Sequence, residues 1–321
     1  MKKERLTICK KTVIKGKRNP VSFPAAFFPF FAALVFLAAA LQARGQEPGT
    51  RFDVSASIDW IRGELSAETS FNLAQAGIKL PSGRLTGEEL LNNSYPELLR
   101  PSLFSINVDS SSTVRSLVDR GELSLEELDA LCTDASKIPP SVSSDLLRMT
   151  GRYTVTLGNI GSFLNRRRTA ASPAKPLIPV PTAEYTGIII IANNELPVHG
   201  RKTQALTTPC LFPKIWDTGM NLVYDRTMFN GGGRLMVTYT VEQSIFRPTP
   251  SGLDGELADL AGPNPLRIIA REVFGVNATD PVIDSEDALK ILSTENNRRL
   301  LMEGRVVLVL SEETLKTTLR P

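Results

Sequence analysis

The sequence predicts an α+β protein of two modules, with mixed or antiparallel sheets and a few packed helices, behind an apolar leader. Three observations carry that prediction. Stretches that alternate apolar and polar residues, such as FDVSASIDW, or that run apolar without a break, such as IIII and RVVLVL, read as strands. Helix starts are marked by SLEELDAL and SEDALKIL. A proline cluster divides the chain near its middle, and strand and helix do not alternate in the regular way of a doubly wound fold. At 321 residues there is room for two domains, and no repeat of fixed period is visible. The expected boundaries are 1–45 for a signal peptide or signal anchor, 46–165 for the first module, 166–182 for a linker and 183–321 for the second module.

The leader opens with Lys2, Lys3, Arg5, Lys10, Lys11, Lys15, Lys17 and Arg18 against Glu4, and residues 19–43 carry no charge. An apolar run from Val21 to Leu41 follows the basic stretch, the layout of a secretory signal peptide. The run is long enough to span a bilayer, so a permanent anchor at residues 21–41 is the alternative, and an uncleaved leader would associate the chain with the membrane. Pro24 and Pro29 weaken its first half and leave Phe30–Leu41 as the apolar core. Ala43-Arg44-Gly45 before Gln46 is the better cleavage pattern, because small residues stand at −3 and −1. Leu41-Gln42-Ala43 before Arg44 is the other.

Cleavage after Gly45 removes nine of the 37 basic and one of the 34 acidic residues. The net charge then changes from +3 to −5. A polyanion binder gains from a basic field and counterion release, so nucleic acid is not an expected partner. Beyond Gln46 no apolar run is long enough to span a membrane, and the body reads as exported and soluble. Cys132 and Cys210 could pair in an oxidising compartment; two separately buried thiols are the favoured reading.

In the first module Phe52–Trp60 and Glu64–Ala74 are expected to form a hairpin about Arg62-Gly63. A helix is expected from Thr86 to Leu99, and helical spacing continues to Val118 with Pro101 in a first turn. Ser124 and Glu127 form a capping box, and MTGRYTVTLGNIGSFL reads as a strand. Pro173, Pro176, Pro179 and Pro181 then stiffen the linker in an extended form, and the Arg166–Arg168 triplet before them reads as a solvated strand end.

The second module begins with Ile188–Ile191, a strand buried on both faces. Strands are expected at Cys210–Trp216, Asn221–Tyr224 and Arg234–Thr240, with Gly231-Gly232-Gly233 as a hairpin tip. Leu266–Phe274 is ambiguous between strand and helix. Ser285 is expected to cap the helix of SEDALKIL, and Arg305–Leu310 to close the module.

No catalytic residue, cofactor or metal site is predicted. His199 is the single histidine, so histidine-based acid–base schemes would all pass through it, and it reads as a surface-loop residue. Asp217, Asp225, Asp284, Glu286 and Asp287 could converge on a cation, but Asp217-Thr218-Gly219 reads as a turn and 284–287 as a helix start. The glycine triplet lacks the flanking pattern of a phosphate cradle.

A set of motifs in the second module carries a resemblance. Tyr185-Thr186-Gly187 is followed by Pro209, Leu211, Pro213, Ile215, Asp217 and Gly219, then Val223-Tyr224, Asn264-Pro265-Leu266, Glu286-Asp287-Ala288 and Arg305-Val306. In order and spacing, residues 185–310 resemble the C-terminal block of bacterial envelope proteins related to the flagellar lipoprotein FlgP and the LPP-type lipoproteins. The first module is similar more loosely, through Asp59-Trp60 and Gly63-Glu64-Leu65. Two features depart from that family. Ile191 stands where it has an aspartate before Ala192, and no cysteine follows the leader, since Cys9 is too early and Cys132 too late.

The resemblance implies a non-enzymatic envelope protein of a diderm bacterium, associated with flagellar or outer-membrane assemblies, without the lipid anchor. Tyr185, Gly187, Pro213, Asp217, Gly219, Asn264, Pro265 and Asp287 are the interaction or motif positions it marks. The expected function is thus a structural or interaction module of the cell envelope, with envelope proteins or outer-membrane components as partners. The alternative is a periplasmic binding module that holds a small ligand or envelope polymer between the modules. A carboxylate-dependent hydrolase using Asp217 or Asp287 is the third reading.

Overall fold

The computed structural model describes residues 50–133, 135–165, 171–246 and 255–319; the leader, both cleavage patterns and the Arg166–Arg168 triplet lie outside the described residues. Thr50–Pro321 forms one compact unit. It is α+β and carries two modules whose sheets differ in kind.

The first module is an antiparallel sheet with helices on one face. β1 (Phe52–Asp59) and β2 (Glu64–Asn72) form the expected hairpin, pairing Phe52 with Phe71 through Asp59 with Glu64. Gly63 in the turn has φ +65°, the left-handed region that favours glycine. Burial alternates strictly: Ala56, Ile58, Leu65 and Ala67 face the core, while Ser55, Ser57, Ser66 and Glu68 face solvent. This is the pattern of an antiparallel sheet with one solvated face.

β3 (Ser136–Val142) and β4 (Arg148–Thr156) complete that side of the sheet. β3 falls in a segment for which no element was expected, and it carries Pro139 and Pro140, which argue against a central strand. It runs at the sheet edge with a register shift between Ile138 and Ser141, where missing N–H donors disrupt no inner ladder.

Helix α1 (Arg84–Phe104) corrects the expected helix start at Thr86 and the placement of Pro101 in a first turn. One helix runs through both Pro96 and Pro101, from an N-cap at Gly83. The carbonyls the prolines leave unpaired belong to Asn92 and Glu97, both exposed, where water can satisfy them. Burial of Leu91, Tyr95, Leu99 and Leu103, every fourth residue, outweighs the loss. Tyr95 stacks on Tyr153 of β4, ring centroids 4.2 Å apart and planes 6° from parallel.

α2 (Val114–Asp119) and α3 (Leu125–Thr133) follow. The capping box of α3 is present: Ser124 N–H donates to Glu127 Oε2 at 2.9 Å, and Glu127 N–H to Ser124 Oγ at 3.2 Å. The strand read from MTGRYTVTLGNIGSFL stops at Thr156, and Leu157–Leu164 is helix α4. Its buried residues Leu157, Gly158, Ile160 and Gly161 follow helical spacing, which the preceding alternation masks.

The second module holds two larger sheets and a small ribbon. β5 (Ile188–Ile191) lies inside a four-stranded parallel sheet, with Ile188, Ile189 and Ile190 almost fully buried. β6 (Leu196–Pro197) and β7 (Gln204–Ala205) pair as the ribbon. β8 (Ile215–Asp217), β9 (Leu222–Tyr224), β12 (Glu272–Phe274) and β13 (Asp280–Ile283) form a mixed sheet, ordered β12-β13-β8-β9. β10 (Thr238–Thr240), β11 (Leu266–Ile269) and β14 (Val306–Val309) complete the parallel sheet, ordered β10-β14-β5-β11. Leu266–Phe274 is therefore strand, in two pieces belonging to different sheets.

Helices α5 (Glu242–Phe246), α6 (Gly255–Ala261), α7 (Ser285–Ser293) and α8 (Glu295–Met302) connect these strands. The N-cap position of α7 is Asp284 rather than Ser285, and the Asp284 carboxylate binds Arg271 at 2.7 Å. The glycine triplet is not a hairpin tip, because β9 and β10 lie in different sheets. The strand expected at Cys210–Trp216 begins only at Ile215. Leu211 and Phe212 donate instead to the carbonyls of Asn107 and Val108, so their hydrogen bonds leave the module.

Arg305–Leu310 does not close the chain's architecture. After α9 (Glu312–Leu315), β15 (Lys316–Leu319) returns to the first module and pairs antiparallel with β1, from Ala56–Leu319 to Asp59–Lys316. One hydrophobic core runs through both modules, joining Trp60, Tyr95 and Val155 to Phe212, Tyr239 and Leu308.

Candidate functional site

Six of the eight motif positions fall into two groups. Tyr185 leads into β5, and its N–H donates to Asn297 Oδ1 at 3.0 Å while its carbonyl accepts from Asn296 Nδ2 at 3.0 Å. Asn297 Nδ2 also donates to the carbonyls of Ala183 and Lys290, each at 3.0 Å. Thr186 Oγ1 donates to the Ala261 carbonyl at 2.7 Å and accepts from Asn264 N–H at 2.9 Å, and Thr186 N–H donates to the Asn264 carbonyl at 3.1 Å. Tyr185, Gly187, Asn264 and Pro265 thus meet where β5 and β11 begin, and their chemistry is backbone satisfaction. Asn297, 1% exposed, is the side chain that organises this knot. The sequence offered no signal for it beyond Thr294 three residues before, whose Oγ1 caps α8.

Asp217 and Gly219 form the second group, the expected turn. Asp217 Oδ1 accepts from Asn221 N–H at 2.7 Å, its Oδ2 accepts from Asn221 Nδ2 at 2.9 Å, and Met220 takes φ +59°. Thr218 and Ser285 hydroxyls lie 3.0 Å apart and tie the turn to α7. Pro213 is buried in the loop before β8, and Asp287 forms a 2.6 Å ion pair with Lys290. Two further carboxylates are likewise engaged locally, Asp225 by Thr227 N–H at 2.9 Å and Asp284 by Arg271, while Glu286 stands in the first turn of α7. Among the described residues no cluster of three metal-ligating side chains occurs. His199 is not idle, since its Nδ1 lies 2.5 Å from Glu272 Oε2 with both side chains about one-third exposed.

Cys132 and Cys210 are free and buried. Burial, reinforced by the Asp129 charge, pushes the Cys132 thiol up to about 12, and burial with the Asp280 charge raises that of Cys210. Neither is a thiolate at neutral pH. Iodoacetamide at mildly alkaline pH is therefore expected to leave both unlabelled in native protein and to modify both in denaturant, as read by peptide mass mapping.

The most enclosed charged group is Asp280, fully buried. It accepts from Lys214 N–H at 3.1 Å, Trp216 Nε1–H at 3.3 Å and Thr279 Oγ1 at 2.9 Å, and from the Ser110 hydroxyl. Burial outweighs these donors and raises its carboxyl above the ordinary range. The folded state then binds this proton more tightly than the unfolded chain. Its stabilising contribution is present below the unfolded value near ~3.9 and is lost as pH rises through the raised folded value. Asp280→Asn should flatten that decline in denaturation midpoints measured across mildly acidic pH. Asp280→Ala should cost about 1–3 kcal/mol more, because it strands the Lys214 and Trp216 donors.

Among the described residues, clefts of two sizes are open to a ligand. One of about 220 Å³ lies where the modules meet, lined by Trp60, Arg62, Thr156, Gly233 and Tyr239. The other, about 650 Å³, lies between the proline-rich segment at Ser172–Lys175, the Gly231 loop and α8.

Residues 51–163 match the family model described as Treponema pallidum Tp0624, N-terminal domain. Residues 187–312 match the model described as Treponema pallidum Tp0624, second domain. The chain is similar to Tp0624 over two successive domains. No relative among the curated proteins matches it. The Tp0624-like segments leave the proline-rich stretch between them unmatched, and β15 lies beyond the second match yet forms an edge strand of the first module's sheet.

Proposed function

We propose that this chain is an exported, non-enzymatic cell-envelope protein that serves as a structural or interaction module, associated with flagellar or outer-membrane assemblies. The observation that carries the reading is the union of its two modules into one body. Besides the β1–β15 pairing, contacts at several places join them. Trp60 N–H donates to the Leu315 carbonyl at 3.0 Å, and its ring packs edge-on against Tyr239 at 5.6 Å. The 107–110 loop bonds to Leu211, Phe212, Val276 and Asn277. Gly158 of α4 sits so close to Gly233 that a Cβ there would lie 2.5 Å from the Gly233 carbonyl oxygen. A body so joined holds surfaces at fixed spacing, which suits a scaffold. Opening and closing on a ligand would have to break a shared core, which disfavours the reading with a ligand between the modules.

The engagement of His199, Asp217, Asp225, Asp284 and Asp287 in local structural pairs supports the non-enzymatic reading, as does the burial of both thiols. The basic, then apolar, leader supports export. Among the described residues no helix is long and apolar enough to cross a membrane. Cell fractionation with N-terminal sequencing tests the proposal: the protein should be found with the envelope, beginning at Gln46 or retaining an anchoring leader. A cytoplasmic protein with its leader intact would contradict it. Asp217→Ala and Asp287→Ala should preserve function in the cell, and loss of function without loss of fold would favour the hydrolase.

A further inference from the structure

The 650 Å³ cleft has a local charge opposite to that of the body after leader removal. Lys175, Arg234, Arg298 and Arg299 line it against Glu295 and Glu303, a local excess of two positive charges. How these cations are held matters more than their number. Arg298 Nη1 donates to the Leu292 carbonyl at 2.6 Å, and Arg234 Nη2 donates to the Glu303 carbonyl. A neutral carbonyl orients a guanidinium without cancelling its charge, unlike a carboxylate. Among the described residues, Arg299 alone of these four has a carboxylate at ion-pair distance, 3.6 Å away at Glu303 Oε1. Lys175 is exposed and has no ion-pair partner among the described residues. Pro173 and Met302 add apolar wall, so the cleft has space and surface for an organic body as well as an anionic group.

We propose that this cleft binds a small phosphorylated molecule, with Arg234, Arg298 and Lys175 holding its phosphate. A phosphomonoester carries about −1.5 to −2 at neutral pH, which matches the local excess, and guanidinium forks suit phosphate oxygens. The cleft volume lies within the roughly 300–1,000 Å³ typical of small-molecule sites. A free sugar phosphate and a lipid phosphate headgroup share this chemistry.

The test is calorimetric titration of the protein with ribose 5-phosphate, inorganic phosphate and ribose, beside sedimentation with vesicles of phosphatidic acid or of phosphatidylcholine. Saturable binding of ribose 5-phosphate, with none of ribose, assigns a free phosphorylated ligand. Retention on phosphatidic acid vesicles alone assigns the headgroup. In either case Lys175→Ala with Arg298→Gln should weaken binding about tenfold or more. Glu295→Gln, which removes an exposed carboxylate from the cleft, should tighten it, a gain that misfolding does not produce. No binding in any arm, equal binding of ribose and ribose 5-phosphate, or affinity unchanged by these substitutions would overturn the proposal.

Discussion

Replacing Trp60 by alanine is expected to lower stability by about 3–5 kcal/mol, the cost of emptying a large buried aromatic site. Trp60 is 4% exposed and stands at the tip of the β1–β2 hairpin, where it touches Tyr239 of the second module. The substitution also leaves Trp216 as the remaining tryptophan, and that ring lies wholly within the second module against Phe274 at 5.8 Å. Trp216 fluorescence therefore reports on a module that the substitution does not enter. If the two modules unfold as one unit, the urea midpoint read from Trp216 falls together with that read by circular dichroism. A Trp216 midpoint that stays in place while the first module melts early would show the modules to be independent.

Gly187→Val should be the second severe change, destabilising by about 1–3 kcal/mol or somewhat more. A Cβ at this position would lie 2.6 Å from Ala261 Cα and 2.7 Å from its carbonyl oxygen. Both are backbone atoms, so relief requires α6 to move off the start of β5. That movement would pull Ala261 from Thr186 Oγ1 and loosen the bonds between Thr186 and Asn264. Gly187→Ala should fall between the parent and the valine variant. Gly232→Ala is the control, since a Cβ there meets nothing within 4 Å, and its melting temperature should stay close to the parent's. Equal melting temperatures for Gly187→Val and Gly232→Ala would refute the close approach.

This explains why a motif position legible in the sequence need not be a binding residue. Tyr185, Gly187, Asn264 and Pro265 lie together because one crowded crossing joins two parallel strands to a helix end. Some local patterns reported local structure faithfully, while others, such as the alternation that hides the helix at Leu157–Leu164, did not. The β1–β2 hairpin declared itself by its period of two and its solvated face, the isoleucine run by its length and flanks, and α3 by Ser124 and Glu127. The sequence was silent or misleading wherever a distant partner decided the outcome. α1 survives two prolines because its buried stripe packs on the first sheet. β3 tolerates Pro139 and Pro140 because it is an edge. Leu211 and Phe212 leave strand geometry because Asn107 and Val108 take their hydrogen bonds. The phosphate-binding candidates were hidden for the same reason: Lys175, Arg234 and Arg298 are far apart in the chain and fit no short motif.

The role proposed here rests on a rigid two-module body that works in the envelope through a partner. Chemical crosslinking of intact cells followed by purification of this protein tests that most directly. The account predicts a crosslinked species containing an envelope or outer-membrane component, formed by the parent protein and by Gly232→Ala and weakened by Trp60→Ala. A protein recovered only as an uncrosslinked monomer, with no envelope component attached, would contradict it.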